Sequence, residues 1–355
     1  MYSQYENSFY DLNKYEKKID SSHILFHFDN LSYFRNTEYT SLVDKGSTYL
    51  GFYLLPYVQY SFNDKAQIYG GLSVRYDFGN PQVRKIEPYF KFTYELFGHD
   101  IIFGTLDGTV QHKVIEPLMD YELAITDRYE QGLQVRKPGK NLEYDFWIDW
   151  QKMIYENDPF NEVISAGLNT YLSPISTDKN KLSINGVATT VHKAGEIDKS
   201  IEPNSMEYNF AAGLEYTHHF SENTNLFLSG HAAFYEDRSG QLATGFRDGL
   251  GQLAVARLTH HGYQFVLSYW DSHQFQSPTG EQLYWSLGNR NSPVPFNYRK
   301  MAGARISYEV EIGKNLVFLN RVGLNYNIDH NKADVTMENY LRWHFTNKAQ
   351  KVKLY

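Results

Sequence analysis

A set of charged side chains alternates with aromatic and aliphatic ones along this chain. They are Arg75, Asp77, Glu87, Lys91, Glu95, Asp145, Asp149, Glu207, Glu215, Arg257, Arg305, Arg321 and Arg342. Carboxylates dominate the middle of the series and arginines its end. If the chain curls into a ring with these residues inside, the two groups form opposed arcs. Such arcs set up a transverse field that orders water and biases which solutes pass. The plainer reading is that the charges neutralise one another and fill the lumen.

Two other groupings bear on chemistry. Ser229 and His231 share a strand face two residues apart, the adjacency an ester hydrolase would use. Both point to the charged face, no hydrolase signature surrounds them, and the expectation is a chain without enzymatic activity. His218-His219 and His260-His261 invite a metal reading. Neighbours on a strand face opposite ways, however, so neither pair closes on one ion, and no metal or other cofactor is expected. GSTYLGFY and GNRNSP lack the spacing of a phosphate-binding loop. Trp147, Tyr89 and Trp270 face inward, where packing is the ordinary role and sugar stacking the sharper one.

The elements that hold these residues are strands. In SMEYNFAAGLEYTHHF (205–220), Met206, Tyr208, Phe210, Ala212, Leu214, Tyr216 and Phe220 fall on one face, opposite Glu207, Asn209 and Glu215. A period of two is a strand's period. Soluble strands average about five or six residues. Longer ones, aromatic on one face and polar on the other, suit a barrel with lipid outside and water inside. Strands are expected near 21–30, 47–62, 66–78, 86–97, 100–109, 142–155, 161–172, 205–220, 224–235, 250–260, 262–271, 299–310, 314–326 and 335–346.

Tight Asn-, Asp- and Gly-bearing connections fall at 62–65, 97–100, 156–160, 221–224, 260–262 and 312–315. They alternate with longer ones at 31–46, 79–85, 110–141, 173–204, 236–249, 272–298 and 327–334. The alternation predicts an all-β transmembrane antiparallel barrel of about 14 strands, with short periplasmic turns and long extracellular loops. Residues 181–191 read as a hairpin inside an outer loop; as a strand they would need a further partner to keep the count even. The domain reading is a tail or small plug over 1–20, the barrel over 21–346 and a tail over 347–355. The segment 110–141 is too apolar for a free surface coil. It is expected to fold into the barrel mouth or dock on a partner.

Composition agrees. The 355 residues include 30 Tyr and 23 Phe, no Cys, and carry a formal charge of -7. Lack of Cys excludes disulfides and thiol chemistry. The negative charge and the absence of a basic run argue against nucleic acid. MYSQYENSFYDLNKYEKKID has no apolar core of a signal peptide, so the chain reads as a mature exported form.

The stretches IIFGTLDGTVQHKVIEPLMDYE, YEQGLQV and FWIDWQKMIYENDPF resemble a group of porin-like outer-membrane β-barrels from Bacteroidota. The resemblance implies the Gram-negative outer membrane as the location, crossed many times, with membrane lipid as surroundings. It brings no catalytic motif. The expected function is a passive channel for small polar solutes. The alternative is a plugged accessory subunit that holds other outer-membrane proteins. A barrel of about eight strands is filled by side chains and one of 16–18 leaves a channel, so fourteen lies between.

Overall fold

The computed structural model describes residues 8–10, 22–109, 111–242, 245–288, 293–347 and 350–351. Sixteen antiparallel strands close into one barrel. In chain order they are β1 His23–Glu38, β2 Ser47–Ser61, β3 Ala66–Asp77, β4 Lys85–Leu96, β5 His99–Thr105, β6 Gln131–Lys137, β7 Leu142–Lys152 and β8 Glu162–Ser176. The second half runs β9 Asn180–Ala194, β10 Ser205–Ser221, β11 Thr224–Asp237, β12 Asp248–His260, β13 Tyr263–His273, β14 Tyr298–Gly313, β15 Leu316–Asn327 and β16 Lys332–Thr346. Each strand pairs with its sequence neighbours, and β1 closes the ring by pairing with β16.

The count corrects the expected fourteen. Two strands were hidden in what read as loops: β6 inside 110–141 and β9 inside 173–204. Their insertion turns the connection at 153–161 around, so it lies at the long-loop end and not among the tight turns. β1 also runs eight residues beyond the expected end at 30. At the opposite end, Phe97-Gly98 and His261-Gly262 make two-residue turns with positive φ at both positions. That twist matches the twist of the flanking strands.

Alternation decides what each face meets. On β10, Glu207, Asn209, Ala211, Glu215 and Thr217 are buried inside, whereas Phe210 and Leu214 stand exposed outside. Phe26, Leu50, Leu72, Phe103, Phe265 and Trp343 extend the same apolar outer belt around the wall.

The lumen is filled. The connection 106–130 folds inward and packs Val114, Ile115, Leu118, Met119, Ala124 and Ile125 into one buried cluster with wall residues Leu31, Trp147, Leu253 and Trp270. Connection 274–297 meets it. Asp120 N donates to Thr279 O at 2.8 Å, and Glu281 N donates to Glu116 O at 3.1 Å. Phe9 and Tyr10 are buried against Tyr340, with Arg342 donating to Phe9 O. Trp147 and Trp270 lie flat on the wall because glycine stands beneath them. A Cβ on Gly167 or Gly251 would come within 2.1 Å of an indole atom.

Candidate functional site

The charged arcs do not face each other across open space. The inward connection 106–130 stands between them and presents a cation to the carboxylates and carboxylates to the arginines. His112 bonds Asp145 at 2.7 Å through Nδ1 and Glu130 at 2.8 Å through Nε2, and stacks on Trp147 with ring centres 3.7 Å apart. Burial alone would lower this imidazole's pKa, but the carboxylates of Glu130 and Asp145 outweigh it and raise it to about 10. On the other side Glu116 bonds Arg305 at 3.2 Å, and Glu122 meets Arg35 at 3.4 Å.

Most of the remaining wall charges have local partners. Arg75 pairs with Asp77 at 3.0 Å, Glu87 with Lys85 at 2.8 Å, Lys91 with Asp107 at 3.0 Å and Arg321 with Glu338 at 3.2 Å. Glu207 accepts from Tyr235 at 2.9 Å, and Arg257 lies over the Phe227 ring. Glu95 is half-buried on the face that carries Lys91. Glu215 lies 3.6 Å from His231, and its register partner is Ser229. No hydrogen bond joins Ser229 to His231, whose Nε2 faces Asn185 at 3.2 Å.

A different set of residues makes a continuous chain from carboxylate to hydroxyl. It lies where the first and last strands close the barrel, at the short-turn end. Alternation puts His27 and Asp29 of β1 inside, and likewise His344 and Thr346 of β16. The register pairs Asp29 with His344 and His27 with Thr346. His344 Nδ1 bonds the Asp29 carboxylate, and its Nε2 lies 2.6 Å from Thr346 Oγ1. That hydroxyl is also 3.0 Å from His27 Nδ1, and His27 Nε2 faces Gln59 Oε1 at 2.9 Å. The His27 ring is stacked on Tyr57, 4.5 Å between centres and 6° from parallel.

The partners constrain the protons. A carboxylate accepts only, so His344 carries a proton on Nδ1; when the ring is neutral, its Nε2 lone pair faces Thr346. Gln59 Nε2 donates to Gln67 Oε1, so its Oε1 accepts from His27 Nε2–H, which leaves the His27 Nδ1 lone pair facing the same hydroxyl. Thr346 thus has one proton and two imidazole acceptors. A hydroxyl, a base that bonds it and a carboxylate that orients the base are the parts of a nucleophilic acyl-transfer site. Asp29 and His344 are buried, and Thr346 is half-exposed.

The ladder breaks beside Thr346. Beyond the end of β16, Asn347 N donates to Phe26 O at 3.1 Å, but Phe26 N donates to the Asn347 side-chain Oδ1 at 2.8 Å in place of a backbone carbonyl.

Sequence reasoning missed this set. The signal available was a pair of i, i+2 patterns on inward faces, His27/Asp29 and His344/Thr346, more than 300 residues apart.

The barrel is similar in fold to solved outer-membrane proteins. OprD from Pseudomonas aeruginosa aligns at 9% identity over 98% of each chain, with a TM-score of 0.52. An anion-selective porin from Comamonas acidovorans aligns at 9% over 91% of this chain and 99% of its own, TM-score 0.51. A loop-deletion form of OmpT from Vibrio cholerae aligns at 7% over 92% and 100%, TM-score 0.53. No curated protein matches the sequence. The family comparison overturns the expectation of a chain without enzymatic activity, because the matching family is named for one. The model of that family spans residues 16–351, and the chain belongs to the Lipid A 3'-O-deacylase-type family.

Proposed function

We propose that this protein spans the outer membrane with its sixteen strands and hydrolyses an ester-linked acyl chain of a membrane glycolipid. The observation that carries the reading is the hydrogen-bonded chain Asp29–His344–Thr346, in a family whose description is deacylation. Thr346 Oγ1 attacks the ester carbonyl as its proton passes to His344 Nε2. The imidazolium is held by Asp29 and returns the proton to the departing alkoxide. Water then cleaves the acyl–Thr346 ester, again with His344 as the proton carrier, to release a carboxylic acid. The acyl chain reaches Thr346 from the apolar belt at the ladder break, between the exposed rings of Phe26 and Phe345.

The test uses purified protein in vesicles that contain acylated outer-membrane glycolipid, with mass spectrometry of the lipid. The parent should remove an ester-linked chain. Thr346→Ala and His344→Gln should each lose about 10²–10⁴-fold in rate, and Thr346→Ser should retain activity. Undiminished release by Thr346→Ala, or no release by the folded parent, would sink the reading.

A second reading, passage of small polar solutes, is favoured by the porin-type wall and by a plug held only by non-covalent contacts. It requires the 106–130 segment to leave the lumen.

A further inference from the structure

A cavity of about 480 Å³ opens at the long-loop end, between the plug and the wall of β4 and β6–β9, away from the Thr346 site. Four carboxylates line it: Glu87, Asp127, Glu130 and Asp149. Three have a cation in place. Lys85 pairs with Glu87 at 2.8 Å and with Asp127 at 2.6 Å, and His112 holds Glu130. Asp149 is 4% exposed, and among the described residues no cationic side chain lies within ion-pair distance of it. Its Oδ1 accepts from Gln131 N at 2.8 Å. Its Oδ2 meets the Ser165 hydroxyl at a long 3.4 Å, and the neutral Gln151 amide, 3.3 Å from that hydroxyl, is its other polar neighbour.

A carboxylate withdrawn from water without a cation is costly, and such a group in a native fold calls for a partner. The cavity has room for one. Its remaining lining suits a nitrogen cation more than a bare metal ion. Tyr129 brings an aromatic ring to the lining, and Thr189 and Gln151 offer polar oxygens for further N–H donors. Aromatic rings attract ammonium and guanidinium groups through their quadrupoles. Met119 and Leu123 give an apolar floor for a short alkyl stem.

We propose that this cavity binds the protonated amine of a small solute arriving from the long-loop side, with Asp149 as its counter-ion. The site is independent of ester hydrolysis and lies on other strands.

The experiment follows the tryptophan fluorescence of the purified, folded barrel in detergent during titration with n-butylammonium, 1-butanol and butyrate. These share a stem and differ in the head group. The expected result is saturable quenching by butylammonium, at least tenfold weaker binding of the alcohol and the carboxylate, and weakening of the amine in 1 M salt. Asp149→Asn should lose at least tenfold in amine affinity, Asp149→Glu should keep most of it, and Thr346→Ala should bind as the parent does. Equal binding of the three compounds, preference for butyrate, or an Asp149→Asn variant with parental affinity would each overturn the proposal. Should Asp149→Asn fail to fold, the three-compound comparison on the parent decides alone.

Discussion

Asp29 on the first strand and His344 on the last are directly opposed across the seam that closes the barrel, with the imidazole Nδ1 bonded to the carboxylate. This one contact both ties the ring shut and orients the base of the proposed acyl-transfer site. Asp29→Asn therefore has two expected effects. Hydrolysis should fall with Thr346 still present, and the barrel should lose about 1–3 kcal/mol, the usual cost of removing a partner from a buried polar group. Urea unfolding in vesicles reads the second effect. A stability equal to the parent's would remove the seam role.

The His112 bridge predicts an alkaline weakening. Its folded pKa, near 10, lies above the 6.5 of the free side chain. The stability it contributes is therefore fully present below about pH 6.5 and is lost as pH rises through 10. Thermal unfolding between pH 6.5 and 10 should show the decline in the parent and a flatter profile in His112→Gln. Parallel profiles would mean the bridge does not hold the plug to the wall.

Glu281 makes a companion case in the second inward connection. Burial first, and then Glu116 beside it, raise its pKa from 4.5 to about 8. Its ionisation in the folded state is unfavourable, so its contribution is complete below about pH 4.5 and gone above 8. Glu281→Gln should abolish that part of the slope and stabilise the protein at pH 8 and above relative to the parent. A variant less stable than the parent at pH 9 would contradict this sign.

The filled lumen predicts electrical silence. The parent, reconstituted in a planar bilayer, should give no steady current. Replacement of 111–128 by a short Gly-Ser linker should give a conducting pore, because it removes the larger of the two inward connections from a ring of sixteen strands, wide enough for a channel beside what remains. A parent that conducts as well as the loop-replaced form would show that ions pass around the plug.

Much of this architecture was legible in alternation alone. β10 and β15 show why: long strands with large apolar residues on one face and charge on the other leave a single reading. β6 failed because QGLQVRK is seven residues long and follows directly on an apolar connection, so its two or three alternations did not stand out. β9 failed for another reason. Its outward positions include Gly186, Ala188, Thr190 and His192, too small or too polar to mark a membrane face. Each missed strand reverses the chain once, so the two errors cancelled, and every strand outside 110–204 kept its direction. The seam site was beyond reach on other grounds. Alternation placed each of its four side chains on an inward face, but only ring closure in one register sets His27 and Asp29 against Thr346 and His344. Ser229 and His231, two residues apart in sequence, looked more promising and do not hydrogen-bond to each other.

Because the four residues come from opposite ends of the chain, no partly made barrel contains the site. A nascent chain on its way to the membrane carries Asp29 and His27 without a hydroxyl to activate, and an open sheet inserted up to β15 is equally inert. The reactive constellation comes into being only when β16 docks on β1. The proposed acyl-transfer chemistry is thereby withheld until assembly is complete, and its rate becomes a report on whether the ring has closed.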